Sequence, residues 1–161
     1  MLCGGLRYGS SVIIRGGPGS GKTIFGLHFI AAAMRTNDPA LIISFAAPED
    51  KIRQYANGLD IDISKAAFLD LTPTPDRLAD NAPYEIFIPD DIEKRPIKRS
   101  IVENIENKKP RRVFIDGFSL SRYLYSDLCQ YRRQIVALIR FLRSHGATAI
   151  FASEMTDQSK D

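Results

Sequence analysis

Five short apolar runs set the tightest limit on what this chain can fold into: Ser11–Arg15, Ala40–Ala46, Ala67–Leu71, Arg112–Asp116 and Ala147–Ala152. They are rich in β-branched and aromatic residues and apolar on successive positions. A strand with one wet face alternates, whereas a strand covered on both faces does not, so these runs predict buried parallel strands. Helical patterns fill the gaps. Thr23–Arg35 carries Ile24, Phe25, Leu27, Ile30 and Met34 and reads as a mostly buried helix, stopped by Asn37-Asp38-Pro39. Pro48 to about Asn57 reads as a second helix, with Glu49 and Asp50 in a first turn that favours acids and Gly58 at its end. Ile97–Asn107 puts Ile97, Ile101, Val102 and Ile105 on one stripe. Asp127–Ser144 is the clearest amphipathic helix, through Leu128, Ile135, Leu138, Ile139 and Leu142, closed by His145-Gly146. Arg132, Arg133, Arg140 and Arg143 cluster on a different face of it. Alternation of this kind predicts an α/β fold, a mainly parallel sheet flanked by helices with right-handed crossovers. Thr72–Pro96, rich in proline and acid, reads as a long connection around a short strand at Glu85–Ile88.

A length of 161 residues suits a single domain spanning 1–161. No apolar run approaches the roughly 20 residues that span a bilayer, and the start lacks a signal-peptide pattern. No membrane is therefore expected as a partner, and two cysteines, too few for a disulfide framework, make a reducing cytoplasm the expected setting. Cys3 and Cys129 have no metal-ligand spacing. The formal net charge of +3 is too mild to argue for nucleic acid. Glu93–Arg112 is locally basic, with eight Lys and Arg against three acids, and reads first as a solvated face and loop. Nucleic acid thus stands as a partner that is not favoured.

Between the first run and the first helix lies Gly16-Gly17-Pro18-Gly19-Ser20-Gly21-Lys22-Thr23, which satisfies the P-loop spacing of two glycines followed by Lys-Thr. Glycine lets the backbone adopt conformations barred to side chains, so successive N–H groups turn inward around phosphate oxygens. The positive end of the following helix adds to them. Residues Gly17, Pro18, Gly19, Ser20, Gly21, Lys22, Thr23 and Ile24 are accordingly the predicted nucleotide-binding set. Lys22 is expected to reach the β- and γ-phosphates, with a catalytic share, and the Thr23 hydroxyl to ligate Mg²⁺. Asp116, ending the strand Arg112–Asp116, matches a Walker B carboxylate, the second expected metal residue. Gly117-Phe118-Ser119 lets the chain leave the sheet beside the phosphates. The expected cofactors are ATP and Mg²⁺.

These stretches together resemble the KaiC/RadA branch of the RecA-like ATPases, most closely KaiC-like domains. "GGLRYGSSVIIRGGPGSGKT" is similar to that family's lead-in, first strand and P-loop. "LIISFAAPEDKI" falls where the family has its second strand and catalytic carboxylates, "KKPRRVFIDGFS" resembles its Walker B segment, and "YRRQIVALIRFLRSHGATAIFASE" its next helix and strand. The resemblance implies a RecA-like P-loop core, ATP at subunit interfaces and a homo-oligomer, a hexameric ring in the family. Two departures matter. Where the family has paired glutamates, this chain reads Phe45-Ala46-Ala47-Pro48, and alanine can neither take a proton nor orient water. Glu49, two residues on, is a tentative substitute beside its plainer reading as a helix-start acid. The family domain also continues through further strands where this chain stops, so the domain is expected to be incomplete at its C-terminal strands.

Other residues receive plainer readings. His28 reads as a core histidine, His145 as a helix-end residue, and Tyr123, Tyr125 and Tyr131 as packing rather than base-stacking groups. Ser153-Glu154 ends the last run where RecA-like proteins often place a γ-phosphate sensor, which makes Glu154 a tentative catalytic residue. The resulting expectation is a slow ATPase acting through conformational change in an oligomer. The alternatives are a hydrolysis-deficient scaffold or regulator, a DNA-dependent recombination or repair ATPase and, ranked last, a small-molecule P-loop kinase.

Overall fold

The computed structural model describes residues 5–72, 96–124 and 128–154. Five strands form one sheet: β1 (Ser11–Gly16), β2 (Ala40–Ser44), β3 (Ala67–Asp70), β4 (Arg112–Asp116) and β5 (Thr148–Glu154). The helices are α1 (Lys22–Thr36), α2 (Glu49–Gly58), α3 (Pro96–Lys108) and α4 (Leu128–Ser144), with a 3₁₀ helix over Phe118–Leu124. Every strand pair is parallel and the spatial order is β1-β5-β4-β2-β3.

Successive residues of a strand point to opposite faces, and here both faces are covered. Leu41, Ile43, Val113, Ile115 and Phe151 meet Ile101 and Ile105 of α3 and Leu138 and Leu142 of α4. Ala40, Ile42, Phe114, Ile150 and Ala152 meet Leu27, Ile30 and Ala33 of α1 and Ile52 and Ala56 of α2. Double coverage is why β2 reads Ala-Leu-Ile-Ile-Ser with every residue buried. Full burial of each such Leu, Ile or Phe contributes about 1.5–3 kcal/mol, enough in sum to hold the three layers together. Close approach of α1 to the sheet depends on Gly26. A Cβ built there would overlap the Phe114 ring.

Helix ends follow local chemistry. Asn37, at φ 53°, takes the left-handed position that closes α1, and the Asp38 N–H returns to the Ala33 carbonyl at 3.0 Å. Gly58 is the last residue of α2 as expected, but the left-handed residue is Asp60, at φ 54°. Gly146, at φ 70°, closes α4, and His145 Nδ1 sits 2.9 Å from the Phe141 carbonyl, a helix-end residue as read.

Three expectations need correction. His28 is exposed, not a core residue, because the buried stripe of α1 runs through Gly26, Leu27, Ile30 and Ala33. Phe25 is likewise 46% exposed, since it lies next to that stripe rather than in it. Leu128 is 52% exposed, and α4 buries Gln134, Leu138 and Leu142 instead. Tyr131 packs as expected, stacked on Phe118 with centroids 6.0 Å apart. The expected strand at Glu85–Ile88, nearly all of its connection, and the Tyr125 position lie outside the described residues.

Candidate nucleotide site

The strand register aligns the carboxyl ends of the sheet. Gly16 lies opposite Glu154, and Ser44 opposite both Asp116 and Asp70. Chain order also reverses here, because β1 leads to α1 and then to a strand three places away, with β5 inserted between β1 and β4. Parallel sheets hold their ligands at such a switch, outside the carboxyl ends of the strands. A cavity of about 450 Å³ occupies that place, within the range of small-molecule sites.

The P-loop forms one wall. Gly19 and Gly21 adopt φ values of 74° and 83°, which a side chain would strain, and a Cβ on Gly16 would overlap Ser20 Oγ. Gly21 occupies the N-cap of α1 without any side-chain cap, and the first turn carries no acid. The opening N–H groups of α1 therefore keep their hydrogen-bonding capacity and positive dipole for an incoming anion. Lys22 Nζ donates to the Gly16 carbonyl at 2.9 Å, the Gly17 carbonyl at 2.7 Å and Ser20 Oγ at 3.3 Å, which holds the ammonium over the loop.

The floor comes from the strand ends. The Thr23 hydroxyl donates to Asp116, 3.1 Å from Oδ1 and 3.3 Å from Oδ2. Asp116 is only 6% exposed, and burial pushes its carboxyl above the ordinary aspartate range. The Thr23 hydroxyl, the Gly117 N–H and Lys22 pull it back down, while the Glu154 charge adds to the rise. An ionised carboxylate this buried is short of positive charge. Beside a threonine hydroxyl it offers a pair of hard oxygen donors, the chemistry Mg²⁺ uses. Mg²⁺ is ordinarily held by one or two protein oxygens together with substrate phosphates. Thr23 and Asp116 would hold it, and it would supply the missing countercharge.

The second wall is the β2–α2 corner. Ser44 Oγ donates to the Ala47 carbonyl at 2.6 Å and accepts from the Ala47 N–H at 3.1 Å. The Phe45 N–H reaches the Asp116 carbonyl at 3.0 Å, and Gly117, at φ 66°, lies so close that its Cβ would come 2.6 Å from Ala46 Cβ. Ala46 and Ala47 both line the cavity.

The structure thus gathers Gly19, Ser20, Gly21, Lys22, Thr23, Ile24, Asp116 and Glu154 around one space. Gly17 contributes its carbonyl to Lys22, and Gly17 and Pro18 are not lining residues. Glu49 is not brought in either. Its Oε1 accepts from Arg53 Nε at 2.7 Å, and Arg53 also donates to the Ile63 and Ala66 carbonyls, so the pair ties α2 to the segment before β3. Glu154 does line the cavity, and Ser119 Oγ accepts from its N–H at 3.2 Å. Sequence reasoning missed Lys51 and Tyr55, which reach the cavity from α2. One available signal was a lysine in a first helical turn, where the dipole disfavours it.

Fold, loop and strand-end aspartate together define the class, a RecA-like P-loop nucleotide-binding domain. The family model described as "ATPase: KaiC" matches residues 1–161, and the chain belongs to that family. It is 30% identical over 162 residues to the circadian clock oscillator protein KaiC of Parasynechococcus marenigrum. It is 26% identical over 162 residues to the circadian clock protein KaiC3 of a Synechocystis species. Each match takes in 96% of this chain and about 30% of the relative's length.

Proposed function

We propose that this chain binds ATP with Mg²⁺ at the β1–α1 corner and turns it over slowly, within a homo-oligomer in the cytoplasm. The observation that carries the binding reading is the uncapped start of α1, with Lys22 above it and the Thr23–Asp116 pair below it, around one cavity. Slow turnover rests on the opposite wall. Ala46 and Ala47 line the cavity with methyl groups where a proton acceptor is needed, and Glu49 is occupied by Arg53. Among the described residues lining the cavity, Glu154 is the carboxylate left to orient a water, since Asp116 belongs with the metal. The oligomer is carried over from the family resemblance. No described helix is long and apolar enough to cross a membrane.

A second reading, nucleotide binding without hydrolysis, is favoured by the same two alanines. Phosphate release from the whole chain, measured with and without single-stranded DNA, separates the readings. Slow release insensitive to DNA and reduced in Glu154→Gln supports the first. No release together with ATP binding supports the second. Stimulation by DNA points instead to the exposed arginines of α4.

A further inference from the structure

Lys51 occupies the first turn of α2, where the helix dipole disfavours a cation. It is exposed, and among the described residues it makes no ion pair and no hydrogen bond, since the nearby Glu49 carboxylate is held by Arg53. Its side chain lines the nucleotide cavity from the wall opposite the P-loop, one helical turn from Tyr55. A local rule of helix chemistry is therefore broken at a position that faces a ligand site, which is where such departures carry function. The wall beside it holds Ala46 and Ala47, so no carboxylate there cancels the ammonium. Among the described residues, the acids lining the cavity are Asp116 and Glu154, on the strand ends.

We infer that Lys51 is a specificity-determining residue that reads the terminal phosphate, so that the site distinguishes a nucleoside triphosphate from a diphosphate. The inference rests on the nucleotide reading above and extends it. The P-loop amides and Lys22 embrace the phosphates from the α1 side, and Lys51 meets the far end of the chain from α2. An ammonium held on a flexible stem suits a point contact to a phosphate oxygen.

The test is titration calorimetry on the full chain with Mg²⁺, using ADP and an ATP analogue bearing an imido bridge between its last two phosphates. Wild type, Lys51→Gln and Lys51→Arg are compared. Lys51→Gln is expected to lose about tenfold or more in triphosphate affinity, the scale of a charged hydrogen bond, and less than about twofold for ADP. Lys51→Arg is expected to restore most of the loss. Equal losses for both nucleotides, or no loss, overturn the assignment of Lys51 and leave the site standing. A wild type that binds neither nucleotide overturns the site itself. Lys51 is exposed, so the variants are expected to fold, and their melting without nucleotide checks this.

Discussion

Two strand-to-helix corners face the same cavity and are built in opposite ways. At β1–α1 the glycines leave the helix start uncapped, and the polar groups of the backbone are kept for a ligand. At β2–α2 the polar groups are spent internally, Ser44 on Ala47 and Glu49 on Arg53, and the residues turned to the cavity are methyl groups, Ile52, Tyr55 and one lysine. The first corner is organised for holding phosphates and the second offers no proton acceptor. On the proposed reading, binding rests on the first corner and turnover on Glu154 at the end of β5, so turnover is open to removal without loss of binding.

The largest effect is expected from the first corner. With ATP·Mg²⁺ at a hundred times its dissociation constant, wild type should gain about 2.7 kcal/mol of stability. Lys22→Ala should lose nearly all of that gain in a thermal melt. A melt in which both proteins gain equally would place the phosphates elsewhere.

Next in size is the support behind that corner. Gly26→Ala adds a methyl where the Phe114 ring lies, and overpacking of this kind costs about 1–3 kcal/mol. The better helix propensity of alanine returns up to about 1 kcal/mol, so the net change in a denaturant melt should still be destabilising. A stabilised variant would mean that α1 rides further from the sheet.

Asp116 sharpens the comparison through pH. Its carboxyl is raised by burial above the unfolded value, so the folded protein binds the extra proton in the window between the two. Without nucleotide or Mg²⁺, this group's contribution should fall as pH rises from about 4 through the raised value. Asp116→Asn should flatten that decline, and at neutral pH it should melt no lower than wild type. With Mg²⁺ and ATP the order should reverse, because asparagine lacks the charge that the ion requires. Asp38 and Asp62, whose carboxyls are lowered by hydrogen bonds to Thr36 and Ser64, add stability over the same window, so the test is the difference profile. Wild type gaining on Asp116→Asn as pH rises would contradict the sign.

The smallest effects lie at the second corner. Breaking the half-exposed Glu49–Arg53 pair should cost about 0.3–0.5 kcal/mol in stability. Phosphate release should be nearly unchanged in Glu49→Ala and lowered in Glu154→Gln. The reverse pattern would return Glu49 to the chemistry and dissolve the contrast between the corners.

The sheet was legible because strands covered on both faces leave unbroken apolar runs, and all five strands lie within two residues of those runs. The P-loop was legible because its glycines are required by backbone geometry, a requirement that one chain displays by itself. Phe25, His28 and Leu128 were misplaced because a helix buries a narrow stripe, and apolar residues outside it are free to face water. Lys51 was missed for another reason. Its unfavourable place in the first turn of α2 was a local signal, but that this turn borders the cavity is a fact of tertiary placement.

Calorimetric titration of the folded wild-type chain and of Lys22→Ala with ATP in the presence of Mg²⁺ probes the β1–α1 corner most directly. Saturable heat with one nucleotide per chain, abolished in the variant, is the expected result. No heat from wild type, or equal heat from both proteins, would contradict it.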